Sequence, residues 1–253
     1  FLPILFLSNL WKNVGWSSVI YLAAITGIDP TLYESATVDG CMESGKDATW
    51  GGCKYNSTGI TCIGIANVAD SLMAIKKLVF DDKTVSAKEM YDALLANWEG
   101  HEHLRQVIIN EVPHYGNDND EVDELANWGM GVFAHHLREC EGPRGKYCGG
   151  TFTMTAHLYY GGITPATPDG RGDGDPLADA ISPRQGFDKN GPTAYLRSAA
   201  KLPQKDLFNG DQLNIRFSPT SVQGEEGTNK LRQLIRTGII RKLHHAYRRM
   251  NIS

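Results

Sequence analysis

The sequence predicts an α/β chain, and two kinds of pattern carry that prediction. Apolar positions recur at helical spacing in Ile65, Val68, Leu72, Ile75 and Val79, and again from Val122 through Leu125, Gly129, Val132, Phe133, His136 and Leu137 to Cys140. Period-two alternation marks Thr151–His157 and Gln212–Phe217 as strands.

Each element has its own local reason. Phe1–Ile28 is apolar and aromatic, with Lys12 its one charge, and reads as a buried helix. Its longest apolar run falls short of the ~20 residues that cross a bilayer. Cys41–Gly59 is polar and glycine-rich, so an irregular loop is expected there. The amphipathic helix that follows sets Asn67, Asp70, Ser71, Lys76 and Lys77 opposite its apolar stripe. Asp81-Asp82-Lys83 makes a turn. Ser86 and Glu89 form a capping box, whose hydroxyl and carboxylate satisfy early helix amides, and the helix runs to about Trp98. Gly100 breaks it. A short helix follows over Glu102–Asn110, and Pro113–Asp118 is a loop.

Gly142–Gly150 is a cluster of breakers. In the predicted strand after it, Thr151, Thr153, Thr155 and His157 share one face, while Phe152, Met154 and Ala156 take the core side. A polar face turned inward can line a cavity; turned outward it meets solvent. Gly161–Pro192 is a long loop rich in Gly, Pro and Asp, of a kind often tied to function. Thr193–Leu202 reads as a short helix or strand. From Lys230 onward a basic amphipathic helix is expected, with Leu231, Leu234, Ile235, Ile239, Leu243, Tyr247 and Met250 on its apolar side.

Composition narrows the class of function. The chain has 253 residues, 41% hydrophobic and 21% charged, as in soluble globular proteins, enough for one large domain or two small ones. A net charge of −4 gives no reason to expect nucleic acid. Five cysteines without C-x-x-C spacing suggest free thiols in a reducing, cytoplasmic setting. Asp169, Asp173 and Asp175 fit no register of a calcium loop. The pairs His101/His103, His135/His136 and His244/His245 diverge on a helix, so no metal site is expected.

Three ordered blocks resemble the glycyl radical enzymes, the pyruvate formate-lyase-like lyases and dehydratases. The first combines Cys-Met-Glu-x-Gly-x-Asp-x-Thr from Cys41 with Gly51-Gly52-Cys53-Lys54-Tyr55-Asn56-Ser57-Thr58-Gly59, Ala69-Asp70-Ser71-Leu72 and Ile75-Lys76-Lys77. The second combines Thr167-Pro168-Asp169-Gly170-Arg171, Pro176-Leu177-Ala178, Ile181-Ser182-Pro183 and Gly191-Pro192-Thr193-Ala194. Arg216-Phe217-Ser218-Pro219 with Gly224-Glu225-Glu226-Gly227 makes the third.

That resemblance implies a ten-stranded α/β barrel of two five-stranded halves with outer helices, of which this chain is a partial piece. It implies radical cleavage of a C–C, C–O, C–N or C–S bond in a small molecule, under anaerobic conditions. A homodimeric parent is implied too, as is a radical S-adenosylmethionine activating enzyme that installs a protein glycyl radical, with no bound cofactor. In that family the radical glycine sits in an Arg-Val-x-Gly-Tyr loop and a cysteine relays the radical as a thiyl. Here no such glycine loop occurs. Gly40-Cys41-Met42-Glu43 mimics the thiyl motif, but Gly51-Gly52-x-Lys54-Tyr55-Asn56 follows within ten residues, so Cys41 is set aside and no catalytic residue is assigned. Cys53 and Cys62 read as structural. Thr153, Thr155 and His157 are the candidate lining of the parent's substrate cavity.

The first forty residues carry another likeness. Leu10–Trp16, Tyr21–Ile25 and Leu32–Gly40 resemble a sugar-type ABC transporter permease, whose coupling motif docks on an ATPase subunit. The expected division is therefore 1–40 permease-like, 41–237 glycyl radical enzyme-like and 238–253 an unassigned basic tail, with a joint near Thr37–Cys41 that is either a natural fusion or an artefact, the artefact being favoured. Two readings from other classes stand beside the enzyme: a membrane importer piece bound to its ATPase, and a soluble interaction module with a basic helix.

Overall fold

The computed structural model describes residues 38–153 and 155–236. The predicted apolar helix in Phe1–Ile28, most of the permease-like segment and the basic tail 238–253 lie outside them. Two compact units appear, one holding 38–58 and 141–145, the other 59–140 and 146–236.

The smaller unit is a loop closed on itself. It carries a single helical turn, α1 (Cys41–Ser44), a 3-10 turn at Ala48–Trp50, and the short strand β2 (Glu141–Gly142). Asp47 organises the 3-10 turn, since its carboxylate accepts from the Thr49 amide at 2.7 Å and its carbonyl from Gly52 at 3.0 Å.

The larger unit is mainly helical and holds all but the first residue of β1 (Thr58–Thr61) and of its neighbour β3 (Gly145–Gly150). Its helices are α2 (Ile65–Ile75), α3 (Ala87–Leu95), α4 (Glu102–Glu111), α5 (Asp120–Glu139), α6 (Ala156–Ile163) and α7 (Gly191–Lys201), and 224–236 is also helical. A π-helical turn, Lys76–Asp81, extends α2. Ser86 caps α3 through the Glu89 amide, as the capping box predicts, and Asn119 caps α5 through the amides of Glu121 and Val122.

The core sits where α2 packs on α5. The buried side chains are mainly small: Ala66, Ala69 and Ala74 beside Met73 on α2, and Ala126 and Ala134 beside Val122 and Met130 on α5; Gly129 of α5 faces Ile65 and Val68. Alanines let two helix backbones approach closely and cost no side-chain entropy on burial. Both stripes predicted from large apolar residues are consequently rotated by about one position. Val68 and Val132 are exposed, whereas Asn67, Asp70 and Asp123, expected outside or left out of the stripes, are buried.

Other elements also differ from expectation. The α3 helix stops at Leu95 rather than near Trp98, because Asn97 and Trp98 adopt left-handed φ values of 49° and 69°. That turn drives Trp98 into the core, where its Nε1 donates to the Arg171 carbonyl at 2.9 Å. Gly142–Gly150 is not a breaker cluster but holds β2 and β3. The predicted strand Thr151–His157 does not form. Pairing ends with a bridge from Thr151 to Asp211, and the Thr153 carbonyl accepts from Ala156 at 2.7 Å, turning the chain into α6. The predicted strand Gln212–Phe217 shares only that edge: Gln212 accepts from the Ile181 amide and donates to Thr151, and no continuous ladder follows. Thr193–Leu202 resolves as helix, within α7.

Candidate functional site

The long loop 164–190 is held in place by two buried charged residues. Arg171 is fully buried. Its guanidinium donates to the carbonyls of Asp175 at 2.6 Å and Thr164 at 2.8 Å, to Pro165, and to Thr167 Oγ1 at 3.1 Å. Burial pulls its pKa below the usual guanidinium value, opposed by the nearby Asp169. Asp169, also fully buried, accepts from Asn67 Nδ2 at 2.7 Å and faces Arg184 at 3.3 Å. Asn67 accepts in turn from the Ala178 amide at 2.6 Å. The polar residues on the inner face of α2 thus hold the loop. Gly170 makes the tight turn between Asp169 and Arg171, with φ +83° and a position where a Cβ would lie 3.0 Å from Ile109.

So anchored, the loop presents Asp179. Its carboxylate gathers three side chains: Thr153 Oγ1 and Asn214 Nδ2 both donate to it, and His157 Nδ1 lies 3.9 Å away. Asp179 and His157 keep 24% and 22% of their side-chain surface exposed, so the cluster is open to a ligand from one side. Behind it, Ser182 Oγ accepts from the Asn214 amide at 3.3 Å and Tyr195 donates to the Asn214 carbonyl at 2.9 Å. Burial pushes the Tyr195 phenol up, so it stays a donor. A half-exposed carboxylate beside an imidazole, a hydroxyl and an amide can take up the hydroxyl or amino groups of a small polar molecule.

Of the sequence-predicted cavity residues, the structure brings Thr153 and His157 together at Asp179. Thr155 is exposed at the start of α6, where its carbonyl accepts from the Leu158 amide at 3.0 Å. Thr151 is buried and donates to Asp211 at 2.8 Å, away from the cluster. Asp179, Asn214 and Ser182 were not singled out from sequence. The available signal was that Asp179 lies between Pro176-Leu177-Ala178 and Ile181-Ser182-Pro183, two matched family segments. Cys41, in the smaller unit, is buried with its Sγ 3.8 Å from that of Cys53; burial, then Cys53, raises its pKa.

The glycines of the C-terminal part do not fit a stored radical, which needs enclosure from solvent and oxygen. Gly186, Gly210 and Gly224 are exposed and Gly191 is partly so. Gly227 is buried but helical, where a Cβ would lie 2.5 Å from the Val222 backbone. Among the described residues no group of three His, Cys, Asp or Glu is arranged to hold a metal ion, and no helix is long and apolar enough to cross a membrane.

Comparison with known proteins gives this geometry its context. The family model "Pyruvate formate lyase-like" matches residues 17–161, and the model "Glycine radical" matches 177–250. The first match crosses the expected joint near Thr37–Cys41, and the second extends past Thr237. The transporter likeness of the first forty residues finds no support here. Trans-4-hydroxy-L-proline dehydratase of Clostridioides difficile is 40% identical over 85% of this chain and 27% of its own length. Isethionate sulfite-lyase of Bilophila wadsworthia is 38% identical over 72% of this chain and 22% of its own length. The solved B12-independent glycerol dehydratase of Clostridium butyricum superposes with a TM-score of 0.78 at 38% identity, covering 82% of this chain and 26% of that one. The chain therefore spans about a quarter of the length of these relatives.

Proposed function

From the premise that this chain belongs to the glycyl radical enzymes, as a pyruvate formate lyase-like member, we propose that it is part of an enzyme that cleaves a bond in a small hydroxylated molecule by radical chemistry. The reading that best fits is a C-terminal-half portion of a ten-stranded barrel. In it, the Asp179 cluster forms one polar wall of the substrate cavity. The parent would work anaerobically, after a radical S-adenosylmethionine activating enzyme has placed the radical on a glycine. No step is assigned to a glycine or thiyl cysteine of the described residues, since none fits.

The carrying observation is the convergence of Thr153, His157 and Asn214 on the Asp179 carboxylate. Such a group positions a substrate: Asp179 accepts from a substrate hydroxyl, and the His157 ring, its buried Nδ1 3.9 Å from that carboxylate, packs beside it. Relatives named as dehydratases and as a sulfite-lyase support C–O or C–S cleavage within the family's range.

A chimera tests this. Residues 59–236 replace the matching segment of the glycerol dehydratase, and the product is activated anaerobically. The expected result is a glycyl radical signal with turnover, and a turnover loss of about 100-fold or more in His157→Ala and Asp179→Asn versions that keep the parent melting temperature. An activated chimera whose turnover is indifferent to both changes would overturn the cavity assignment.

A further inference from the structure

We propose that Cys41 and Cys53 are an oxidisable thiol pair, which a small disulfide converts into an intramolecular disulfide closing residues 41–53. Both lie in the smaller unit, and their sulfur atoms are already 3.8 Å apart. Two hydrogen bonds that involve neither sulfur hold the chain ends together, beside the 3.8 Å contact of Cys53 Sγ with the Ala48 carbonyl. The Lys54 amide donates to the Asp39 carbonyl at 2.7 Å, and Ser44 Oγ donates to the Gly52 carbonyl at 3.0 Å. Glycine is required at both crossings: a Cβ on Gly40, whose φ is +96°, would lie 2.5 Å from the Lys54 nitrogen, and one on Gly52 2.0 Å from the Lys46 carbonyl oxygen. Bond formation therefore needs movement of the two sulfurs and little of the chain, so the loop-closure entropy is largely spent beforehand.

The order of events follows from exposure. Cys41 is buried and its thiol is held above the ordinary value by that burial and by Cys53, whereas Cys53 is half-exposed. Cys53 thiolate attacks the oxidant, a small disulfide, forming a mixed disulfide and releasing one thiol. The Cys41 sulfur then attacks Cys53 Sγ, and the second half of the oxidant leaves. Two protein thiols are oxidised, one disulfide is reduced to two thiols, and the two thiol protons end on the released thiols. The pair belongs to no contact in the Asp179 cluster and does not depend on the proposed substrate role.

Oxidised glutathione is the probe. The folded chain is incubated with it, free thiols are blocked with iodoacetamide, and tryptic peptides are weighed. Of the five cysteines, two should lose alkylation, and peptides 13–46 and 47–54 should appear cross-linked. Dithiothreitol should restore both thiols. In Cys41→Ser the expected product is a persistent mixed disulfide of glutathione on Cys53. The proposal is overturned if wild type shows no 13–46/47–54 cross-link, or if it accumulates the mixed disulfide on Cys53 as the Cys41→Ser chain does. The wild-type measurement stands even where the variant fails to fold.

Discussion

His114 Nδ1 lies 3.2 Å from Asp70 Oδ2 in the interior of the larger unit, with both side chains buried. The rest of the ring fixes its tautomer. Nε2 faces the carbonyl oxygens of Ile108 at 3.1 Å and Ile109 at 3.2 Å, so it must carry a hydrogen. Asp70 Oδ1 already accepts the Tyr115 amide at 2.7 Å. The Nδ1···Oδ2 contact then requires one further proton on one of its two atoms. Burial pushes the Asp70 carboxyl upward, partly offset by His114, which favours keeping that proton. Long-range proton–nitrogen NMR of the His114 ring should show a hydrogen on Nε2. A ring protonated on Nδ1 alone would contradict the arrangement. Asp70→Ala should cost about 3 kcal/mol in urea unfolding, since it strands the Tyr115 amide and the ring together.

Arg171 gives a second prediction, because its planar guanidinium serves several carbonyls around one loop. Lysine keeps the charge but carries it as a point on a flexible stem, and cannot reach in so many directions. Arg171→Lys should destabilise the chain by about 2–4 kcal/mol and collapse amide-exchange protection first in 164–178. Unchanged protection in that loop would show that the loop is held by the Asn67–Asp169 bond instead.

A third concerns pH. Asp118 is held below the usual carboxylate range by hydrogen bonds from Arg197 and Lys201, at 3.0 Å each. A depressed carboxylate contributes stability above its unfolded pKa, near 3.9, and loses it as pH falls through the folded value. Asp118→Asn should therefore be less stable than wild type at neutral pH, by about 1 kcal/mol after allowing for solvent screening. The difference should vanish once pH has fallen below the folded-state pKa. Lys201 also reaches the buried Asp123 at 2.7 Å, where burial raises the carboxyl against the lysine's pull. Lys201→Met should accordingly cost more than Asp118→Asn, about 2 kcal/mol.

Much of the helical frame was legible in the sequence, and the reasons are local. Ser86 with Glu89 and the repeats in α2 and α5 act within a few residues. Which face is buried was not legible, because large apolar residues outweigh alanine in a periodicity argument while alanine decides how closely α2 and α5 approach. Asn67 and Asp70 look solvent-facing until their partners are known, and those lie far along the chain: Asp169 and Ala178 for Asn67, His114 and Tyr115 for Asp70. The run of threonines at 151–155 has strand propensity, yet propensity needs a partner edge, and beyond Thr151 the backbone turns instead. His114 carries no local signal in the sequence, because its role depends on Asp70, which is distant along the chain.

The last prediction concerns the radical itself. A glycyl radical persists when its Cα is planar, enclosed and close to a relay thiol. The described glycines within the matched "Glycine radical" stretch are exposed, partly exposed or, at Gly227, locked in a helix. A helical Cα cannot flatten without breaking the turn that surrounds it, and an exposed one reacts with any hydrogen donor or oxygen. Incubated anaerobically with an activating enzyme and S-adenosylmethionine, the chain alone should give no glycine-centred doublet by electron paramagnetic resonance and no product from glycerol or trans-4-hydroxy-L-proline. A doublet that collapses on exchange of glycine α-hydrogen for deuterium, together with turnover, would show that this chain houses a radical glycine by itself. Signal appearing in the chimera but not in the isolated chain would show that storing the radical needs the remaining three-quarters of the relative.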